Sequence, residues 1–473
     1  MASRFASKPS WTPPGYRLYV VLRTTPHLQA ALTERDRRAP LEFRPDILFR
    51  RLNVPGNLLD DIQRATVPSR EWALEIVGDH HELPPFDEEV ISLEFRTAAF
   101  QLEFRRLMFE QVGRPVDEVD IIVLAVGADI GGRQADQWCP GTKGPATFGS
   151  RTDALRSIRA DALQQDGLTG RRVNVVIIDQ GLDRTLIPAR NWGGGIAWMG
   201  RQPGTADRTS HGMLMARNVL SLAPDAILYD VPLIPPRITD VPTFASDADT
   251  LYRVLLWAIT FLRLLPRWSG PWVYANAWAI FDRASEVPLG DYTENLHPLG
   301  HPLNNLVGAT VDQGGIDIAF AAGNCGQFCF SKRCGPVDRG PGHDIWGANA
   351  HPAVVTTGAV RADGGWIGYS SQGPGPARLE PRKPDLCLPS NFVDPFDAHV
   401  QETGTSTACA LLVGILAALR SNPKWTTLHV KSGLLKQELV GTAEKVGGPG
   451  WDRRFGFGVL DIRATIAALK ALP

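Results

Sequence analysis

No charge sign dominates this chain. Across 473 residues, 49 basic side chains stand against 50 acidic ones, a formal net charge of −1. That balance offers neither the basic stripe that nucleic acid needs nor the polybasic face that draws a protein to an anionic membrane. Long apolar runs are scarce too. Leu251 to Leu265 is interrupted by Arg253 and Arg263 and is too short to span a bilayer, so it reads as a core helix. The opening residues, Met1 to Pro9, hold no apolar leader core, which points to the cytoplasm, with secretion after loss of a leader as the alternative. Six cysteines in a chain this long do not make a disulfide scaffold. No internal repeat is visible. The length suits two or three domains around a well-buried core.

Three short segments carry chemistry. Ser406 lies in Glu402-Thr403-Gly404-Thr405-Ser406-Thr407-Ala408-Cys409-Ala410, ahead of the apolar run Leu411 to Leu419. Gly404 supplies a turn, small residues flank the hydroxyl, and the apolar run predicts a buried helix whose positive end favours developing negative charge. Asp179 ends the aliphatic run Val173 to Ile178 and precedes Gln180-Gly181. This reads as a buried parallel strand, with the carboxylate at the sheet edge where open α/β sheets place their sites. His211, in Ser210-His211-Gly212-Met213-Leu214, opens a second helix. Taken singly, these are a turn Asp, a packing or capping His and an N-cap Ser. Taken together, they supply a nucleophile, a base and the group that orients the base: Ser406, His211 and Asp179.

With these segments in view, the chain resembles the subtilisin-like serine peptidases, the subtilases, from about Thr152 to about Ala468. Further matching stretches are Leu168 to Arg172, Leu222 to Ala226, Asn304 to Gly314, Ile318 to Asn324, His351 to Val360, Tyr369 to Pro374, Lys383 to Leu386 and Phe455 to Asp461. The order Asp, His, Ser is itself the family's. The resemblance implies an α/β fold with a subtilisin-like, mostly parallel sheet flanked by helices. It also implies peptide-bond hydrolysis through an acyl-enzyme on Ser406, with the Asn324 amide and the Ser406 N–H as oxyanion donors. Tyr274 to Ala279 resembles the substrate-binding strand, which makes Asn276, Ala277, Trp278 and Ala279 substrate-binding candidates. Departures from the family pattern are Gln180, Met213, the absence of a proline after Ser406, and Ala277 and Ala279 where Ser and Gly are usual. The methyl of Ala279 implies a pocket reshaped toward small side chains. Family members need no cofactor for the chemistry and often bind structural calcium, but no Asp-rich loop here identifies a site.

Cys325, Cys329 and Cys334 follow Asn324 in a Gly- and Pro-rich loop near His343. Free thiols are the default; a Cys₃His zinc set and a local disulfide are the alternatives. Residues 1–139 read as a smaller α+β domain, with strands at Tyr16 to Arg23, Trp72 to Val77 and Asp120 to Val126 and a helix at Ala98 to Val112. Residues 140–150 read as a linker and 151–473 as the catalytic domain. The first domain is expected to assist folding and block the cleft, or to recruit a substrate or regulatory protein partner; a structural extension with no catalytic effect is the third alternative. The expected partner at the site is a protein or peptide substrate. Two other functions stand beside hydrolysis: a binding or signalling protein that keeps the fold with feeble activity, and a transacylase on the same triad.

Overall fold

The computed structural model describes residues 149–472, apart from 236–237, 328–329, 332, 395–396 and 447–448, together with four strands nearer the N-terminus. The chain forms two units. In the first, β1 (Arg17–Arg23), β2 (Ile62–Ala65), β3 (Glu88–Phe95) and β4 (Ile121–Val126) build one sheet in the order β2-β3-β1-β4, antiparallel at every pairing. β1 and β4 match two expected strands. β2 and β3 went unanticipated because Ile62-Gln63-Arg64-Ala65 has a single β-branched residue and β3 opens on two glutamates. The strand expected at Trp72 to Val77, the helix at Ala98 to Val112 and the linker up to residue 148 lie outside the described residues.

The second unit begins with α1 (Arg151–Ser157) and α2 (Asp161–Gln165) and continues with β5 (Asn174–Ile178), β6 (Trp192–Gly195), α3 (His211–Leu222), β7 (Ile227–Val231), α4 (Val241–Leu262) and β8 (Trp272–Asn276). Then come α5 (Pro302–Asp312), β9 (Ile316–Ala321), β10 (Val355–Val360), β11 (Leu386–Pro389), the hairpin β12 (Phe392–Asp394) and β13 (Asp397–Glu402), α6 (Gly404–Arg420), α7 (Ser432–Gly441) and α8 (Ile462–Ala471). Strands β5 to β11 form a seven-stranded sheet ordered β11-β10-β9-β8-β5-β7-β6, and every neighbouring pair is parallel.

The sequence reads as continuous aliphatic runs in these strands because helices cover both faces of the sheet. Every residue of β5, β8, β9, β10 and β11 is buried. On one face Val176, Ile178, Tyr274, Ile318 and Phe320 join Phe244, Leu251, Tyr252 and Leu255 of α4 and Leu303 and Val307 of α5 in a single apolar cluster. The Leu251 to Leu265 run is thus a core-facing helix as far as Leu262; Arg263 beyond it donates to the Gly315 carbonyl at 3.0 Å, and Leu264 and Leu265 are exposed.

Successive strand residues turn to opposite faces, and the other face receives α6. All 17 residues of that helix are buried, as expected of a helix apolar on every side. It lies against β8, β9, β10 and β11 and against α3. The α3 contact needs Gly414: a methyl there would lie 3.0 Å from both Leu222 Cβ and the Val219 carbonyl oxygen. The one charged residue of α6, Arg420, ends the helix by placing Nη2 2.7 Å from Asp317 Oδ1 and Nη1 2.6 Å from the carbonyl oxygens of Trp425 and Val430.

Removing one partner of a buried ion pair leaves an uncompensated charge. Arg420→Met is therefore expected to lower unfolding stability by about 3–5 kcal/mol in a denaturant titration, and a loss within error of zero would contradict the pairing.

Candidate active site

Three parts of the site leave the carboxyl ends of adjacent strands, where a parallel sheet opens a crevice. Asp179 directly follows β5, Ala277 follows β8, and Asn324 stands just after β9. His211 and Ser406 sit in the first turns of α3 and α6.

Asp179 is buried, and its Oδ1 and Oδ2 lie 2.8 Å and 3.0 Å from His211 Nδ1. A carboxylate facing Nδ1 makes that nitrogen the donor and leaves Nε2 as the basic position. The contact depends on local chain chemistry. Ser210 caps α3 by accepting from the Met213 N–H at 3.3 Å and donates its hydroxyl to the Gly181 carbonyl at 2.8 Å. Gly212 permits this approach, since a Cβ there would lie 2.3 Å from the Gly181 carbonyl oxygen. The unusual Met213 is absorbed too: its sulfur takes the Asp183 N–H at 3.2 Å.

Burial disfavours the charged His211 ring, but the charge and hydrogen bond of Asp179, helped by Glu402 and opposed by Arg333, outweigh it and raise the imidazole pKa. The imidazole side chain keeps 34 % of its surface exposed, so the ring is open to the cleft.

Ser406 Oγ is turned onto the Ala277 carbonyl oxygen at 3.2 Å. Gly404 takes φ +79° at the turn, and a Cβ there would lie 3.3 Å from Asn324 Nδ2. Asn324 Oδ1 accepts from the Thr405 N–H at 2.9 Å and the Thr405 hydroxyl at 3.1 Å. Those donors fix which end of the amide is oxygen, and Nδ2 is the end left to donate. The Thr405 hydroxyl also accepts from the Gly323 N–H at 3.1 Å, which ties the β9 exit to the Ser406 turn.

The four residues of the β8 segment divide in two. Asn276 is fully buried: its Oδ1 accepts from Tyr252 Oη at 2.8 Å and Trp278 Nε1 at 3.1 Å. Trp278 packs edge-on to Phe244 and Phe320. These two side chains brace the strand from within. Ala277 meets Ser406, and the Ala279 methyl lies 3.4 Å from where a Cβ on Gly323 would be. Cys409 is a buried packing residue, with its thiol 3.7 Å from the Asn276 carbonyl oxygen.

The cysteine loop is corrected. Cys325 and Cys334 form a disulfide with Cα atoms 5.7 Å apart, a separation that such a bridge spans. Neither is a free thiol, and with both sulfurs bonded to each other the zinc set of Cys325, Cys329, Cys334 and His343 cannot form. Cys329 lies outside the described residues. Among the described residues no group of three or more His, Cys, Asp or Glu is placed to hold a metal ion. No helix among them is long and apolar enough to cross a membrane.

Sequence reasoning missed two buried carboxylates. Asp230, at β7, accepts from the Leu182 N–H at 3.0 Å and the Gly204 N–H at 2.7 Å, pinning the loop after Asp179 to the approach of α3. Burial, reinforced by the nearby Asp179 charge, raises its pKa to about 6, against the pull of the Gly204 and Leu182 N–H groups. Glu402 gathers Arg151, Arg217 and Asn218 just before the nucleophile turn. The partners of both lie far away in the chain and left no pattern to read.

The His211–Asp179 contact should be visible by NMR titration of the imidazole. Its midpoint is expected above the ordinary value of about 6.5 and should fall in Asp179→Asn; an unchanged midpoint would rule out the pairing. A raised histidine pKa stabilises the fold fully below the unfolded value, and that contribution is lost as pH rises through the folded value.

Known proteins resemble this chain over its second unit. The subtilase family model matches residues 171–458. Subtilisin E of Bacillus subtilis (strain 168) is 25 % identical over 321 residues, covering 66 % of this chain and 70 % of its own. Subtilisin of Bacillus pumilus is 25 % identical over 321 residues, covering 66 % of this chain and 96 % of its own. Among solved structures, MycP1 from Mycobacterium smegmatis has a TM-score of 0.47 at 20 % identity, covering 68 % of this chain and 86 % of its own. A lanthipeptide protease has a TM-score of 0.48 at 16 % identity, covering 68 % of this chain and all of its own. A match over more than half the chain, on a fully parallel sheet with these residues at its carboxyl edge, places the protein in the subtilase family of serine endopeptidases.

Proposed function

We propose that the protein hydrolyses peptide bonds with Ser406 as nucleophile, His211 as general base and Asp179 as the group that orients and stabilises the imidazolium. The observation that carries this reading is the Asp179 carboxylate on His211 Nδ1 at 2.8 Å, which leaves Nε2 for the proton of Ser406. For attack, Ser406 Oγ leaves the Ala277 carbonyl and gives its proton to His211 as it bonds to the substrate carbonyl carbon. The oxyanion is met by Asn324 Nδ2 and the Ser406 N–H, the latter at the positive end of α6. His211 then protonates the leaving amine, and water completes the acyl-enzyme cycle. No metal or cofactor enters this sequence.

Residues 1–139 act as the restraining or recruiting domain, joined by linker 140–150 to the catalytic domain 151–473. A protein or peptide is the substrate, and regulation comes from the first domain or a protein partner. The Cys325–Cys334 disulfide favours an oxidising compartment over the cytoplasm expected from the sequence.

A fluorophosphonate should label the wild type and not Ser406→Ala, read by intact mass, and Asn324→Ala should lower turnover by about 10²–10³, the scale of loss for such a donor in a subtilisin. Labelling of neither protein in folded samples would favour the binding or signalling reading, and product masses showing transfer instead of hydrolysis would favour the transacylase.

The Ala279 methyl, standing where the family resemblance puts glycine, supports a preference for small side chains before the scissile bond. A peptide library should show that preference, and Ala279→Gly should widen it; a wild type that prefers large aromatics would refute the pocket assignment.

A further inference from the structure

One buried carboxylate draws together three segments that are remote in sequence. The Glu402 side chain has no exposed surface. Its Oε1 accepts from Arg151 Nη2 at 3.0 Å and from Arg217 Nε and Nη2 at 3.3 Å, and its Oε2 accepts from Asn218 Nδ2 at 2.8 Å. Arg217 and Asn218 lie on α3, about two turns past His211. Glu402 ends β13, and only Thr403 separates it from α6.

Arg151 is the first residue of α1, and its seat is fixed. Ser150 and Asp153 form a reciprocal cap: Asp153 Oδ2 takes the Ser150 N–H at 2.9 Å, and Ser150 Oγ takes the Asp153 N–H at 3.3 Å. The Gly149 carbonyl accepts the Val393 N–H at 3.1 Å, and Ser150 bridges Val393 in parallel. Val393 belongs to β12, the partner of β13. Residues 149–151 therefore hold the nucleophile-bearing segment twice, once through the β12 backbone and once through Arg151 on Glu402.

A buried charge of this kind is seldom retained for stability alone, because an apolar cluster of equal volume serves as well. The choice of partners points to register. We propose that Glu402 is a positioning residue, which keeps the Ser406 turn aligned with His211 only while residues 149–151 are seated against β12. The start of the catalytic domain, next to the proposed linker, is then a condition of efficient turnover. This inference rests on the serine-peptidase reading.

Two readouts test it, and one of them needs no turnover. Glu402→Gln keeps the shape and removes the charge. In the full chain its kcat is expected to fall roughly tenfold or more with KM little changed, since small misplacement of a reacting group acts on the chemical step. The His211 titration midpoint should fall at the same time, because the charges acting on that ring are Asp179 and Glu402 raising it and Arg333 lowering it. Arg151→Gln should reproduce the kcat loss. A folded Glu402→Gln protein with wild-type kcat and an unmoved midpoint would overturn the proposal. If Glu402→Gln does not fold, Arg217→Gln, at a side chain 31 % exposed, takes its place, and wild-type kcat there would overturn it equally. A wild type without turnover would count against the peptidase reading alone, and the histidine midpoint would then decide the coupling.

Discussion

The complete burial of α6 is the constraint on which the site depends. A helix with no exposed residue cannot tilt or slide without disturbing the strands beneath it, because protein interiors are packed to crystal-like density. Its two ends are pinned by charges of opposite sign. Arg420 reaches down to Asp317 on β9 at one end, and Glu402 collects donors just before the other. Ser406, in the first turn, inherits its position from both anchors and from the sheet.

The rest of the site is assembled around that fixed point by backbone-directed bonds. Thr405 links the nucleophile turn to Gly323 and Asn324, so the β9 exit and the start of α6 move as one piece. Ser210, Gly212 and Met213 lock the start of α3 onto the loop after Asp179. Asp230 closes the same loop from β7. Pre-organisation of this kind matters for chemistry, since donors already aimed at a developing charge need not reorganise when it forms.

What the sequence made legible follows from local signals. The aliphatic run before Asp179, with Gly181 soon after it, read as a strand covered on both faces, and the longer apolar run after Ser406 as a buried helix. Gly404 was readable because the turn it permits sits beside the residue it serves. The Glu402 cluster was not readable, since Arg151 and Arg217 lie 251 and 185 positions away and nothing in their neighbourhoods distinguishes them from ordinary surface arginines. Cysteine spacing left Cys325 and Cys334 open between three states, because spacing says nothing of how close a loop brings two Cα atoms. Asn276 looked like a substrate contact by its place in a strand motif, and only the Tyr252 and Trp278 donors reveal that its amide faces inward.

The division of the β8 segment bears on how such an enzyme can diversify. Asn276 and Trp278 serve the core, while the Ala277 carbonyl meets the Ser406 hydroxyl and the Ala279 methyl faces Gly323. Alternation at the exit of one strand thus separates scaffold from site at single-residue spacing. Exchanging the Ala279 methyl for a hydrogen leaves the Tyr252 and Trp278 bonds of Asn276 in place. The scaffold can then hold still while the residue facing Gly323 changes.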